Sequence, residues 1–194
     1  MHEVIKKLLT ILVAIIFLGF ESFIFILRNI TIDYKISNTS DIADIVNNKN
    51  SKDLSSYVII DKEPIAFAEY SGGGDNLYYF VEKDDNVYIL FANKNTINNI
   101  DFDKLPSDYK IYGITTKYIN KFKEIILYAY NDRYDENLTN ETFDSKLGYV
   151  YLNTTLDKYA LTPEYNMLII VFGLMFIVTF VYGFGGIIKY YVKR

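Results

Sequence analysis

Histidine occurs once in this chain, at position 2, and cysteine not at all, so carboxylates, hydroxyls and lysines are what remain for chemistry. The central body of the chain therefore has no imidazole for a Ser-His-Asp triad, a general base or a zinc site. It has no thiol for a disulfide framework or a nucleophile either. Three acidic or glycine-rich clusters remain as candidates. Asp84 and Asp85 are adjacent, but Lys83-Asp84-Asp85-Asn86 has the length of a hairpin loop, the ordinary place for solvated acids. Asp132, Asp135 and Glu136, with Asn131 and Asn137, carry oxygens of the kind that wrap calcium. Their spacing departs from Asp-x-Asp-x-Asp-Gly, and an acidic turn is the better reading. Ser71-Gly72-Gly73-Gly74-Asp75-Asn76 has the glycines of a phosphate cradle without the Lys-Ser or Lys-Thr and strong helix such a cradle needs, so it reads as a loop between strands. No catalytic, cofactor-binding or metal-binding residue is assigned, and the chain is read as non-enzymatic.

Glu21 is the titratable residue that fits least well with its surroundings. It interrupts an apolar run from Leu8 to Leu27, six residues before the end of that run, or about 9 Å by helical rise. A second apolar run extends from Met167 to Ile188. Each is long enough to cross roughly 30 Å of hydrocarbon as a helix. A carboxylate in such a span must be protonated, wetted or paired. In an antiparallel helix pair the same depth on the second run falls near Gly173, where a missing side chain allows close approach. Glu21 and Gly173 are thus the candidate intramembrane polar contact.

The basic flanks orient the two runs. Lys6 and Lys7 precede the first, while Lys189, Lys193 and Arg194 follow the second. Under the positive-inside tendency both termini are cytoplasmic and the long intervening segment lies outside a plasma membrane. A cleavable signal peptide is the rival for the first run, but no small-x-small site follows it. The charged end, Lys189 to Arg194, does not suit a removed lipid-anchor signal.

The expected division is a cytoplasmic tail (1–7), a transmembrane helix (8–27), a tether (28–56), an extracytoplasmic domain (57–155), a connector (156–166), a second transmembrane helix (167–188) and a tail (189–194). The intervening segment carries more Asp and Glu than Lys and Arg, which argues against nucleic acid or anionic lipid heads as its partners. It also holds 16 of the chain's 19 tyrosines. Tyr159 and Tyr165 suit one headgroup layer, and Tyr190 and Tyr191 the other. The abundance of Asn, Ile, Lys, Tyr and Phe reads as bias from an AT-rich genome, and the sequons at Asn29, Asn38, Asn137, Asn140 and Asn153 as chance.

Within the tether, Ile42, Ile45 and Val46 have helical spacing behind Ser40 or Asp41, either of which could cap a short helix. Strands are expected at Tyr57–Ile60, Ile65–Tyr70, Leu77–Glu82, Val87–Ala92, Tyr109–Thr116 and Tyr149–Asn153, with Gly113 marking a bulge or close backbone approach. A helical period runs from Tyr118 to Tyr130. A second short helix fits Asn140 to Leu147, capped by Thr139 or Asn140 and closed by Gly148. The fold class expected is α+β: two transmembrane helices flanking a mostly antiparallel sheet of five or six strands, barrel-like in closure, with one or two helices.

Four short stretches carry a resemblance: Tyr78-Tyr79-Phe80, Ile111-Tyr112-Gly113-Ile114-Thr115, Leu138-Thr139 with Phe143, and Leu147-Gly148-Tyr149-Val150-Tyr151-Leu152. Over residues 57–155 the chain resembles an uncharacterised family of small two-span membrane proteins of Gram-positive bacteria. The resemblance implies topology and fold and nominates no site. The functional expectation is an outward binding, scaffolding or sensor module, an accessory to an unidentified membrane or envelope protein. The alternatives are an oligomeric pore using Glu21 with the cluster Gly183, Gly185 and Gly186, and a carboxylate-dependent envelope enzyme.

Overall fold

The computed structural model describes residues 2–72 and 74–192. Met1, Gly73 of the glycine run, and Lys193 and Arg194 of the basic end lie outside the described residues, as do the side chains of His2, Glu3 and Tyr190. The chain divides into two units, one formed by residues 1–34 with 162–194 and the other by residues 35–161.

The first unit is an antiparallel helix pair. Helix α1 runs His2–Ser37 and the last helix, α6, runs Pro163–Val192. Both are long and apolar enough to cross a membrane. Leu8, Phe23, Ile170 and Val178 are among their many exposed apolar side chains, as expected of helices that are apolar all round. At one end the Lys7 ammonium lies 3.4 Å from the centre of the Tyr182 ring. At the other, Arg28 donates to Asn166 Oδ1 at 3.2 Å. Between them Phe20 stacks on Phe172, with ring centres 5.8 Å apart. Ala14 is fully buried. A Cβ on Gly183 would stand 3.3 Å from both the Ile11 nitrogen and the Lys7 carbonyl, so that glycine is where one backbone approaches the other.

The second unit is α+β and holds a seven-stranded mixed sheet: β1 (Ser40–Asp41), β2 (Ser55–Ile59), β3 (Ile65–Glu69), β4 (Asn76–Lys83), β5 (Asn86–Asn93), β6 (Lys110–Lys117) and β7 (Val150–Asn153). The order across it is β1-β2-β6-β7-β5-β4-β3. Four pairings are antiparallel; β1 with β2 and β5 with β7 are parallel. The segment read as a tether is divided. Its beginning completes α1, and the residues from Ser40 onward supply β1, the short helix α2 (Ile42–Ile45) and the start of β2. Asp41 is the cap, accepting from Ala43 N at 3.0 Å.

The barrel-like closure expected above is incorrect, because the sheet is open, with β1 and β3 at its edges. A barrel needs one apolar face turned inward, whereas this sheet is apolar on both faces and each is covered by helices. On one face Tyr79, Val81, Leu90 and Leu152 pack with Ile42 of α2 and with Ile97 of α3 (Lys94–Asn98). On the other Phe80, Ile89 and Val87 pack with Phe122, Ile126 and Tyr130 of α4 (Asn120–Tyr134) and with Phe143 and Leu147 of α5 (Asn140–Leu147). Residues 87–92 of β5 are accordingly buried without alternation. Helices α4 and α5 leave the β2–β6 half of their face uncovered, where Tyr112 is 59% exposed.

Local chemistry explains most element ends. Asp84 (φ 50°) and Asp85 (φ 62°) are both left-handed, the geometry that suits a two-residue hairpin turn between β4 and β5. Thr139 caps α5 in a reciprocal capping box with Thr142, and Gly148 ends that helix at φ 74°. Asp135 ends α4 in the left-handed region. Thr115, fully buried on β6, accepts from Leu54 N at 2.9 Å and donates to the Ser51 carbonyl, pinning the loop before β2. Lys35 donates to the Leu161 carbonyl, joining the two ends of this unit.

Gly113 is a close approach rather than a bulge, since a Cβ there would stand 2.6 Å from the Asn153 carbonyl oxygen of β7. Gly113→Ala is therefore expected to push β6 from β7 and destabilise the full chain by about 1–3 kcal/mol. Thermal unfolding in detergent micelles checks this; an unchanged midpoint would contradict the crowding.

Candidate functional site

The structure brings Glu21 and Gly173 together. A Cβ built on Gly173 would lie 3.1 Å from Glu21 Oε1 and 3.5 Å from Oε2, so the carboxyl rests on the α6 backbone where no side chain intervenes. Among the described residues Glu21 makes no hydrogen bond or ion pair with another side chain. The nearby polar group Ser22 is turned onto its own helix, donating to the Leu18 carbonyl at 2.9 Å. Gly183 and Gly186 meet Ile11 and Lys7 of the same chain, while Gly185 meets nothing within 4 Å.

In the second unit the acids singled out from the sequence converge only in part. A cleft of about 710 Å³ opens beside the β4–β5 turn and is lined by Asp84, Asp85, Asp61, Glu82, Glu136 and three lysines. Its floor is built by Tyr130 and Tyr134, one helical turn apart on α4, with ring centres 4.6 Å apart. Each tyrosine hydroxyl is directed at one carboxylate. Tyr134 donates to Glu82 Oε1 at 2.8 Å, and Tyr130 to Glu136 Oε1 at 3.3 Å. Each carboxylate also holds a lysine: Lys62 on Glu82, and Lys146 on Glu136 at 3.2 Å. Two tyrosine–carboxylate–lysine sets thus lie side by side. At the far rim Lys83 pairs with Asp41 at 3.0 Å, both largely buried.

Electrostatics keep Glu82, Tyr130, Tyr134 and Lys146 in their ordinary charge states. Hydrogen bonds from Lys62 and Tyr134 hold the Glu82 carboxyl below the usual glutamate range. Burial, and then the bond to Glu82, pushes the Tyr134 phenol up. Burial likewise raises Tyr130. The bonds to Tyr130 and Glu136 raise Lys146. A general base at neutral pH needs a carboxyl shifted toward 7, and Glu82 is shifted the other way.

The remaining candidates have structural duties. Asn131 clamps the connection between α4 and α5, donating to the Leu138 carbonyl at 2.9 Å and accepting from Leu138 N at 2.7 Å. Glu136 is engaged as above, and among the described residues no group of His, Cys, Asp or Glu is arranged to hold a metal ion. The glycine run joins β3 to β4 and leads into a strand, so no helix N-terminus stands behind it to receive a phosphate. Asn153, one of the five sequons, is buried in β7. Sequence reasoning missed the Glu82 and Glu136 sets. Their signal lies in the spacing of Tyr130 and Tyr134, and it is readable only once α4 is known to cover β4.

Comparison with known protein families, with curated proteins and with solved structures finds no match to this chain. Fold and geometry alone therefore define its class: an α+β unit inserted between two helices long and apolar enough to be membrane spans.

The Glu82 shift has a definite pH consequence. A carboxyl whose folded pKa is depressed stabilises the fold above its unfolded value, about 4.3, and loses that contribution as pH falls through the folded value. Glu82→Gln is expected to cost roughly 1 kcal/mol at pH 7 and to flatten the decline of stability below about pH 4.3. Thermal unfolding of both forms across that range measures it; parallel profiles would remove Glu82 from the acid response.

Proposed function

We propose that the chain is a two-span plasma-membrane protein, both termini cytoplasmic, whose 35–161 unit lies outside and binds or scaffolds a membrane or envelope protein partner. The observation that carries this reading is the pair of long helices, apolar on every side and joined to each other at both ends, that brackets one folded unit. A helix that is apolar all round needs an apolar solvent or a covering of other protein.

No catalytic step is part of the proposal, because Glu82 and Glu136 are committed to lysine and tyrosine partners. The pore alternative loses part of its motivation, since Gly183 and Gly186 are already used to seat α1 against α6. Glu21 is assigned to the helix interface, where its carboxyl rests on the α6 backbone at Gly173.

Two measurements test the reading. The chain is expected to stay with membranes through alkaline extraction, and protease added to intact spheroplasts is expected to remove residues 35–161 while sparing the tails. Protection of that segment, when known surface proteins are digested, would invert the topology. Separately, Glu21→Gln is expected to keep the helix pair and co-purifying partners, while Glu21→Leu, by placing branched carbon against Gly173, loses them severalfold. Equal recovery with both variants would leave Glu21 without a role in assembly.

A further inference from the structure

The uncovered half of the sheet carries a groove of about 610 Å³ over β2 and β6. Its base is the tyrosine pair Tyr57 and Tyr112, with ring centres 5.7 Å apart. Ile36 and Leu156 add apolar wall, and the hydroxyls of Thr39, Ser55 and Thr154 add polar lining. Among the described residues, Lys110 and Lys158 are the charged ones in the lining. The Lys110 ammonium sits 4.2 Å from the centre of the Tyr57 ring, and neither lysine has a carboxylate partner among the described residues. The neighbouring acid Asp157 is engaged in accepting from Tyr159 N at 3.0 Å, opening the turn Lys158–Leu161, and the Lys158 ammonium lies 5.5 Å from the centre of the Tyr159 ring. The groove is therefore locally basic on a segment whose average charge is acidic.

The covalent chain limits where this groove can be. Ile36 is nine residues past Leu27, the end of the first apolar run, which is about 13 Å of helical rise. Leu161 is six residues before Met167, the start of the second, at most about 20 Å even if fully extended. Resting on the two-span reading above, chain length keeps both walls within about 20 Å of the hydrocarbon boundary, a distance that tilt of the spans and the reach of lysine side chains can close to the headgroup layer. Tyrosine and lysine side chains are the residues that layer favours, the ring sitting at headgroup depth and the ammonium meeting lipid phosphate.

We propose that this groove binds the headgroup of an anionic phospholipid, with Lys110 and Lys158 meeting the phosphate and the Tyr57–Tyr112 pair lying against the glycerol and upper acyl carbons. Such a contact would hold the outer unit down on the bilayer, in place of leaving it free to tumble on its two helices. It also explains why α4 and α5 stop short of this half of the sheet. The acidic average of the segment does not oppose the contact, because screening within about 10 Å leaves the two local lysines in control.

The chain contains no tryptophan, so Tyr112→Trp places a single reporter in the groove, and Tyr57→Trp a second one in case the first misfolds. The full-length variants are reconstituted in phosphatidylcholine bilayers containing phosphatidylglycerol, with a headgroup spin label on one lipid or the other. Stronger quenching by labelled phosphatidylglycerol is expected. That preference should weaken about fivefold for each lysine removed in Lys110→Gln and Lys158→Gln. Equal quenching by the two labelled lipids, or a preference unaffected by both substitutions, would overturn the proposal. No quenching by either, in a chain that resists alkaline extraction, would also overturn it and leave the groove to a protein partner. A chain released by alkaline extraction would instead sink the two-span reading, and this proposal with it.

Discussion

Strand β7 holds the folded unit together. It comes last in the chain among the strands, is four residues long, and lies between β6 and β5 at the centre of the sheet. Without it the sheet would fall into two halves, β1-β2-β6 and β5-β4-β3, with no ladder between them. Its pairing is antiparallel to β6 through four residues and parallel to β5 through Leu152 and Asn153. Its side chains serve both faces: Val150 and Leu152 are fully buried in one core, and Tyr151 packs into the other. Asn153 then turns the chain out, its side chain accepting from Thr155 N and Thr155 Oγ1 while Thr154 N donates to the Phe91 carbonyl. An insertion of this kind closes only after both halves exist, so it gathers long-range contacts whose loop-closure entropy must be met first.

The two faces of the sheet are solved by different chemistry. The α2–α3 side is mostly aliphatic, with Ile42, Val58, Ile60, Leu90 and Ile97 at its centre. The α4–α5 side is aromatic: Tyr78 lies 4.1 Å from Phe122 and 4.5 Å from Phe91 by ring centres, and Tyr118 meets Phe143 edge-on at 5.2 Å. Rings of this kind fill volume with few rotatable bonds, and their hydroxyls need partners once buried. Tyr118 donates to the Leu147 carbonyl, and burial raises its phenol well above the ordinary value, so it stays neutral. Farther out, Tyr130 and Tyr134 bring their hydroxyls to the rim and meet carboxylates there. Much of the tyrosine excess is therefore structural, and the paired rings of Tyr57 and Tyr112 are set apart by lying on uncovered sheet.

Elements with strong local signals were legible residue by residue. Gly148 ends α5 and Lys83 to Asn86 make the β4–β5 turn, while the caps were legible to within two residues, the structure choosing Thr139 over Asn140 and Asp41 over Ser40, because a cap or a positive φ depends on a few adjacent side chains. The close approach at Gly113 was legible as one of two options, since a missing Cβ says that something comes near but not what. The Glu21–Gly173 proximity follows from helical rise and antiparallel pairing alone. Helix α3 escaped notice because Lys94–Asn98 is a single turn, capped by Asn93, with only Ile97 buried. Strand β1 escaped because two residues, Ser40 and Asp41, carry no period at all.

Composition and spacing determined by themselves that the chain has two long apolar helices, an α+β unit between them, and neither imidazole nor thiol within that unit. Those properties are sums over residues or patterns within a few turns, and no folding is needed to read them. Only the tertiary structure decided that the sheet stays open, that the last strand enters its centre, and that Glu82, Tyr134 and Lys62 meet in one cleft. It alone gathered Lys110, Lys158, Tyr57 and Tyr112 on one patch of an acidic segment. These are consequences of strand order, and strand order depends on which apolar faces find cover, a choice made between residues as much as a hundred positions apart.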